Sequence, residues 1–183
     1  MTVDIRSLPS GVVLGENVVI EDLRSFRRYR SIQDPGLVIG DRSTVFSWTE
    51  FSIEPDAVIE VGNDTVLVGA ILMCAERIAI GSHVVISYGV TIADCDFHPV
   101  DPTDRRQDAM AVSPAAAGER VPMRTAPIVI EEGVRVGIGS IILKGVTIGA
   151  GAEISAGSVV TESVPAGALV EGNPGRVVDR ATP

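Results

Sequence analysis

From Ile130 onward an aliphatic residue returns at every sixth position: Ile130, Val136, Ile142, Ile148, Ile154 and Val160. The same spacing runs earlier through Ile80, Ile86 and Ile92, through Val61, Leu67 and Met73, through Ile39, Val45 and Phe51, and more weakly through Leu14, Ile20 and Phe26. A glycine often follows the anchor, as at Gly40, Gly62, Gly81, Gly137 and Gly149. Small or β-branched residues such as Val134, Ser140, Val146, Ala152 and Ser158 precede it by two positions. A period of six fits neither the 3.6 of a helix nor the alternation of a half-buried strand. It fits a hexapeptide β-helix, in which three short sides close a coil of about eighteen residues and each anchor stacks on its counterpart one coil away. An ordinary β-sandwich would need variable strand spacing and a more aromatic core, and aromatic residues make up only 4% of this chain.

The repeat spans most of the 183 residues, which predicts one all-β domain over 1–183. It stops after Ile92 and resumes at Ile128, leaving a loop of about 96–127 rich in Pro, Ala and Asp. An insertion of that length is expected to be functional or disordered. Smaller slips fall at Arg27–Gly36 and Cys74–Arg77, and a tail of about 164–183 leaves the repeat through prolines and is expected to cap the last coil. The formal net charge of −9 disfavours nucleic acid and anionic membranes as partners, while a local basic site for a phosphate-bearing ligand stays open. The start, MTVDIRSLPSGVV, has neither a basic n-region nor an apolar h-region, so the expected location is cytoplasmic and the two cysteines, Cys74 and Cys95, are expected to be reduced.

Three segments resemble the hexapeptide-repeat acyltransferases, in particular the O-acetyltransferases of the galactoside, maltose and polysaccharide type. They are ISYGVTIADCDFHPVD, the run APIVIEEGVRVGIGSIILKGVTIGAGAEISAGSVVTESVPAGALVEG, and the exit sequence GNPGRVV. The resemblance implies a left-handed parallel β-helix, a hand that the usual right-handed crossover rule would not predict. It also implies a homotrimer with active sites between neighbouring subunits, acetyl-CoA as donor, and a sugar or saccharide-like hydroxyl as acceptor. An amino sugar, a nucleotide sugar or an antibiotic hydroxyl is an alternative acceptor of the same machinery, and a non-catalytic β-helix scaffold is the alternative of another class.

His98, in DFHP at the mouth of the loop, matches the family's catalytic histidine. Acetyl transfer from a thioester to a hydroxyl needs a base that takes the acceptor proton, and an imidazole suits that task near neutral pH. Asp94 and Asp96 flank it and are expected to orient the ring or bind acceptor hydroxyls, with ordinary turn bonding as the competing reading. Cys95 raises an acyl-cysteine route, which the direct transfer of the family disfavours. His83 reads as a surface turn residue, and two histidines in all fall short of a three-histidine zinc site, so no metal is expected. Motif matching carries the family's donor contacts to Ser140, Ala156, Thr161, Glu162 and Arg176, with Arg180 as a second phosphate-binding candidate. The chain departs from the galactoside enzymes at Glu162, where they carry lysine, at Gly137, where they carry an aromatic residue, and around Gly69–Met73, which offers no counterpart of their acceptor-binding asparagine. Trp48, with Phe46 and Phe51, reads as a core or subunit contact or as a sugar-stacking surface.

Overall fold

Each six-residue side forms a short strand because a β-branched or leucine anchor turns inward while its neighbours face outward. In the computed structural model, which describes residues 7–111 and 120–179, these strands build three sheets of six, eight and five strands, parallel except for the last strand of the eight, visited in rotation by the chain. The result is a β-solenoid of about seven turns, in keeping with the left-handed parallel β-helix.

The anchors stack in columns. In the eight-stranded sheet Ile20 pairs with Val45, Val45 with Leu67, Leu67 with Ile86, Ile86 with Val136, Val136 with Ile154 and Ile154 with Val170. In the six-stranded sheet the column runs Leu14, Ile39, Val61, Ile80, Ile130 and Ile148. In the five-stranded sheet it runs Phe51, Leu72, Ile92, Ile142 and Val160. Most of these side chains are fully buried, and each such Ile or Leu contributes roughly 1.5–3 kcal/mol relative to exposure. The glycines after the anchors mark where one coil's backbone lies against the next. A Cβ on Gly62 would stand 2.6 Å from the Gly81 carbonyl carbon, and one on Gly137 would stand 2.6 Å from the Ala156 nitrogen.

Three expectations shift. Leu72, not Met73, is the inward anchor of its side, because the corner through Gly69 is one residue shorter than its neighbours. The ring of Tyr88 covers that corner, and a Cβ on Gly69 would meet its Cδ2 at 2.5 Å. Phe26 belongs to no strand but to the 3-10 helix Leu23–Phe26, from which it stacks on Phe51 at 5.6 Å. The solenoid also continues into the expected tail: Val164 bridges to Ile148, Leu169–Glu171 joins the eight-stranded sheet, and only then does Arg176–Val178 fold back antiparallel and end it. That last strand covers the edge as a cap should.

The chain from Cys95 to Thr125 leaves the solenoid at one corner. Cys95 and Thr125 form an antiparallel bridge, and the Asp96 and Ala126 N–H groups donate to Arg124 and Asp94 carbonyls at 3.1 and 2.9 Å, so the excursion has a paired neck. Its first part contains the helix Pro102–Ala111, which departs from the expectation of a plain loop in an all-β chain. Asp101 accepts the Thr103 and Asp104 N–H groups at 2.8 and 3.1 Å, and Pro102 stands at the first helical position, so the helix has both standard start signals. Residues 112–119 of the expected loop lie outside the described residues.

Candidate functional site

The strand Thr91–Ala93 delivers Asp94 to the corner where the excursion begins. Asp94 is fully buried, and its carboxylate accepts the backbone N–H groups of Ala75, Glu76 and Arg77 at 2.7, 2.9 and 2.8 Å, with Cys74 Sγ at 3.3 Å. Its oxygens therefore close the Cys74–Arg77 corner and do not open to solvent. Asp96 is engaged elsewhere, in an ion pair with Lys144 one coil along. Neither residue touches His98 through its side chain; the His98 N–H instead donates to the Asp96 carbonyl at 2.7 Å.

The carboxylate that meets His98 is Asp108. It is the single buried residue of the helix Pro102–Ala111, and its Oδ2 lies 2.7 Å from His98 Nδ1. Arg120 clamps the same carboxylate, Nε to Oδ1 at 3.0 Å and Nη2 to Oδ2 at 3.2 Å, and its Nη2 also donates to the Phe97 carbonyl at 3.0 Å. Phe97 is in the left-handed region at φ 62°, which turns the chain so that His98 comes back toward the helix. The Arg120 hydrogen bonds hold the Asp108 carboxyl below the usual carboxylate range, outweighing burial, which acts the other way. An ionised Asp108 only accepts, so the proton of a neutral His98 sits on Nδ1 and the Nε2 lone pair is left free. The ring is half-exposed. A charged, buried carboxylate behind an imidazole with a free outward nitrogen is an arrangement that can take a proton from a bound hydroxyl.

His98 lines a pocket of about 470 Å³. Arg27, Arg28, Arg30, Glu54 and Arg120 supply its charged lining, Ser52 adds a hydroxyl, and Met73, Phe97 and Met123 supply apolar surface. Met73 reaches it because the short Gly69 corner turns Leu72 inward in its place. Cys74 and Cys95 also border the pocket, and burial pushes both thiols up, the neighbouring Asp94 adding to it at each. A thiol held protonated is a poor acyl carrier. Cys95→Ala is expected to keep kcat within about threefold, with no acetyl adduct by intact mass after incubation with acetyl-CoA; an adduct that forms and disappears at the turnover rate would establish the covalent route.

The residues matched to donor contacts lie around the five-stranded sheet. Ser140 is fully buried and donates to the Ser155 carbonyl at 3.0 Å, while Ala156 is exposed one coil on. Both stand at the corner entering that sheet. Thr161 and Glu162 are exposed at the corner leaving it, two coils beyond the excursion, and Arg176 Nη1 lies 4.0 Å from Glu162 and 2.9 Å from the Gly175 carbonyl. Among the described residues no hydrogen bond or ion pair joins His98 to any of them, and Arg180 lies outside the described residues. Trp48 is 72% exposed and Phe46 is exposed, whereas Phe51 is in the core. His83 is an exposed turn residue at φ 58°, bonded to Glu132 at 3.1 Å. No group of three or more His, Cys, Asp or Glu suited to a metal is found among the described residues. No helix among them is long and apolar enough to cross a membrane.

Asp108 and Arg120 are absent from the sequence reading. The start signals at Asp101 and Pro102 would have located a helix there, but nothing in the sequence says which of its residues turns inward.

Residues 127–162 match the family model described as bacterial transferase hexapeptide (six repeats). No curated protein matches the chain in sequence. The chain is similar in structure to the hexapeptide-repeat-containing acetyltransferase VCA0836 from Vibrio cholerae, at 26% identity, 93% of this chain, 73% of that one and a TM-score of 0.56. It is also similar to AntD, an N-acyltransferase from Bacillus cereus in complex with dTDP and 3-hydroxybutyryl-CoA, at 18% identity, 94% and 84% coverage and a TM-score of 0.66. A maltose O-acetyltransferase from Clostridium difficile 630 matches at 23% identity, 94% and 67% coverage and a TM-score of 0.54.

Proposed function

We propose that this chain is a hexapeptide-repeat acyltransferase that transfers an acetyl group from acetyl-CoA to a hydroxyl of a sugar or saccharide-like acceptor, with His98 as general base. The observation that carries this reading is the 2.7 Å hydrogen bond from His98 Nδ1 to the ionised Asp108, at the wall of an open pocket.

The residues divide the work as follows. His98 Nε2 takes the acceptor O–H proton as the oxygen attacks the thioester carbonyl carbon, forming a C–O bond and a tetrahedral oxyanion. Asp108 stabilises the resulting imidazolium and keeps the ring from turning, and Arg120 keeps Asp108 in place. Collapse of the oxyanion breaks the C–S bond, and the departing thiolate takes the proton from Nε2, which restores the neutral imidazole. On the donor side, Ser140 and Ala156 let the pantetheine arm approach backbone amides, Thr161 and Glu162 line its path, and Arg176 meets a phosphate. Among the described residues no hydrogen bond or ion pair links the donor residues to His98, and in this reading a homotrimer completes each site, the donor groove of one subunit facing the His98 pocket of the next. A cytoplasmic location suits an acetyl-CoA-dependent reaction.

The test is thiol release from acetyl-CoA by the purified protein across sugars, amino sugars, nucleotide sugars and hydroxylated antibiotics. Release that requires one hydroxyl-bearing class, giving a product cleaved by alkaline hydroxylamine, is the expected result. A hydroxylamine-stable product on an amino acceptor would replace O-transfer with N-transfer. No release with any acceptor, together with no acetyl-CoA binding by calorimetry, would leave a scaffold and overturn the enzyme.

A further inference from the structure

The pocket beside His98 concentrates positive charge on a chain whose formal net charge is −9. Three of its arginines, Arg27, Arg28 and Arg30, come from one short segment where the repeat slips. That segment is anchored. The 3-10 helix before it is capped by Asp22 and packs Phe26 on Phe51. Tyr29 bridges to Ile53, the Arg30 N–H donates to the Ile53 carbonyl at 2.9 Å, and the Ile53 N–H donates to the Arg28 carbonyl at 3.2 Å. The arginines are therefore held along the edge of the five-stranded sheet, on a rigid element.

Their carboxylate partners do not balance them. Arg28 lies 3.2 Å from Glu50, Arg30 pairs with Glu54, and Arg120 is committed to Asp108 with Glu54 at 3.7 Å. No hydrogen bond or ion pair holds the guanidinium of Arg27 among the described residues; the carboxylate whose charge it feels is Asp22, which Arg24 already pairs. With the Arg24–Asp22 pair included, five guanidiniums face four carboxylates, and His98 adds a further positive charge when it holds the acceptor proton. A neutral sugar offers nothing to offset that excess. Charged arginines that line a pocket are matched by a carboxylate or phosphate, which takes their N–H groups in pairs.

We propose that the acceptor carries an anionic group, a carboxylate or a phosphate, which Arg27 binds with help from Arg28 and Arg30, so that a hydroxyl on the same molecule reaches Nε2 of His98. This rests on the acetyl-transfer reading and names its substrate class. The apolar surface of Met73 and Phe97 takes the carbon skeleton between the two ends. The phosphates of coenzyme A are the other source of the same anionic chemistry, and the experiment separates the two.

The binding of D-glucose, D-glucuronate, D-glucose 6-phosphate and adenosine 3′,5′-bisphosphate is measured by calorimetry on the His98→Ala protein, with and without Arg27→Gln. The bisphosphate reproduces the nucleotide end of the donor. The expected result is that at least one of the two anionic sugars binds while glucose does not, and that Arg27→Gln weakens this binding about tenfold without changing that of the bisphosphate. Equal binding of glucose and both anionic sugars, no binding of any sugar, or no effect of Arg27→Gln overturns the proposal. Weakening of the bisphosphate alone assigns Arg27 to the donor and also overturns it. Charge-selective sugar binding by a protein that transfers no acetyl group would instead overturn the acetyl-transfer reading and leave the anion site standing.

Discussion

His98→Ala is expected to lower kcat by roughly 10²- to 10⁴-fold, the range associated with loss of a positioned general base, while the melting temperature stays close to that of the parent. The fold tolerates the change because of what the side chain leaves behind. His98 is half-exposed, and its removal takes one hydrogen bond from Asp108, whose two bonds from Arg120 remain. No buried charge is left without a partner, so the large penalty for an orphaned buried ion does not apply. Loss should fall on kcat with little change in the KM for acetyl-CoA, since among the described residues no hydrogen bond or ion pair joins His98 to the residues assigned to the donor. Turnover within a few-fold of the parent, measured on a folded variant, would remove His98 from the role of base.

Asp94→Ala is expected to act in the opposite way, costing about 3–5 kcal/mol of stability, or roughly 10 °C in Tm for a chain of this length. Its carboxylate is the common acceptor for three consecutive N–H groups of the Cys74–Arg77 corner, at 2.7, 2.9 and 2.8 Å. These charge-assisted bonds are lost together, and the fully buried side chain leaves a void beside Cys74. Asp94→Asn should recover only part of the loss, because an amide keeps one acceptor oxygen and presents N–H donors to N–H donors. Thermal unfolding and kcat of the folded fraction at low temperature check this. An unchanged Tm with a raised KM for the acceptor would return Asp94 to the substrate-binding role suggested by its place beside His98.

The two aspartates of the DCD motif illustrate how far a sequence reads into a site. Their closeness to His98 along the chain suggested that one of them orients the imidazole, yet the corner turns Asp94 inward to backbone and the next coil supplies Lys144 to Asp96. Neighbours along a tight corner point in different directions, so closeness in sequence does not confer contact. The partner that does meet His98 stands ten positions on, and Arg120 twelve beyond that, each delivered by backbone whose course nothing periodic specifies. Arg27–Arg30 enter the same pocket from the other end of the chain, through strand pairing with Ile53.

Within the coils the situation is reversed. Ile130, Val136, Ile142, Ile148, Ile154 and Val160 were legible as anchors because each inward position recurs after a constant interval, and the structure stacks every one of them on an aliphatic neighbour. Met73 falls on the six-residue count but not in the inward column, because a single missing residue at the Gly69 corner moves the inward direction by one, and a count of sixes does not register a shortened turn. The period of six is enough to specify the solenoid, since backbone pairing between similar short sides needs only a repeated inward residue and room for glycine at the close approaches. The tertiary structure alone decided that Asp108 and Arg120 stand behind His98 and that the arginines face it, because those meetings depend on where a non-repeating excursion and a slipped segment come to rest against the same sheet edge.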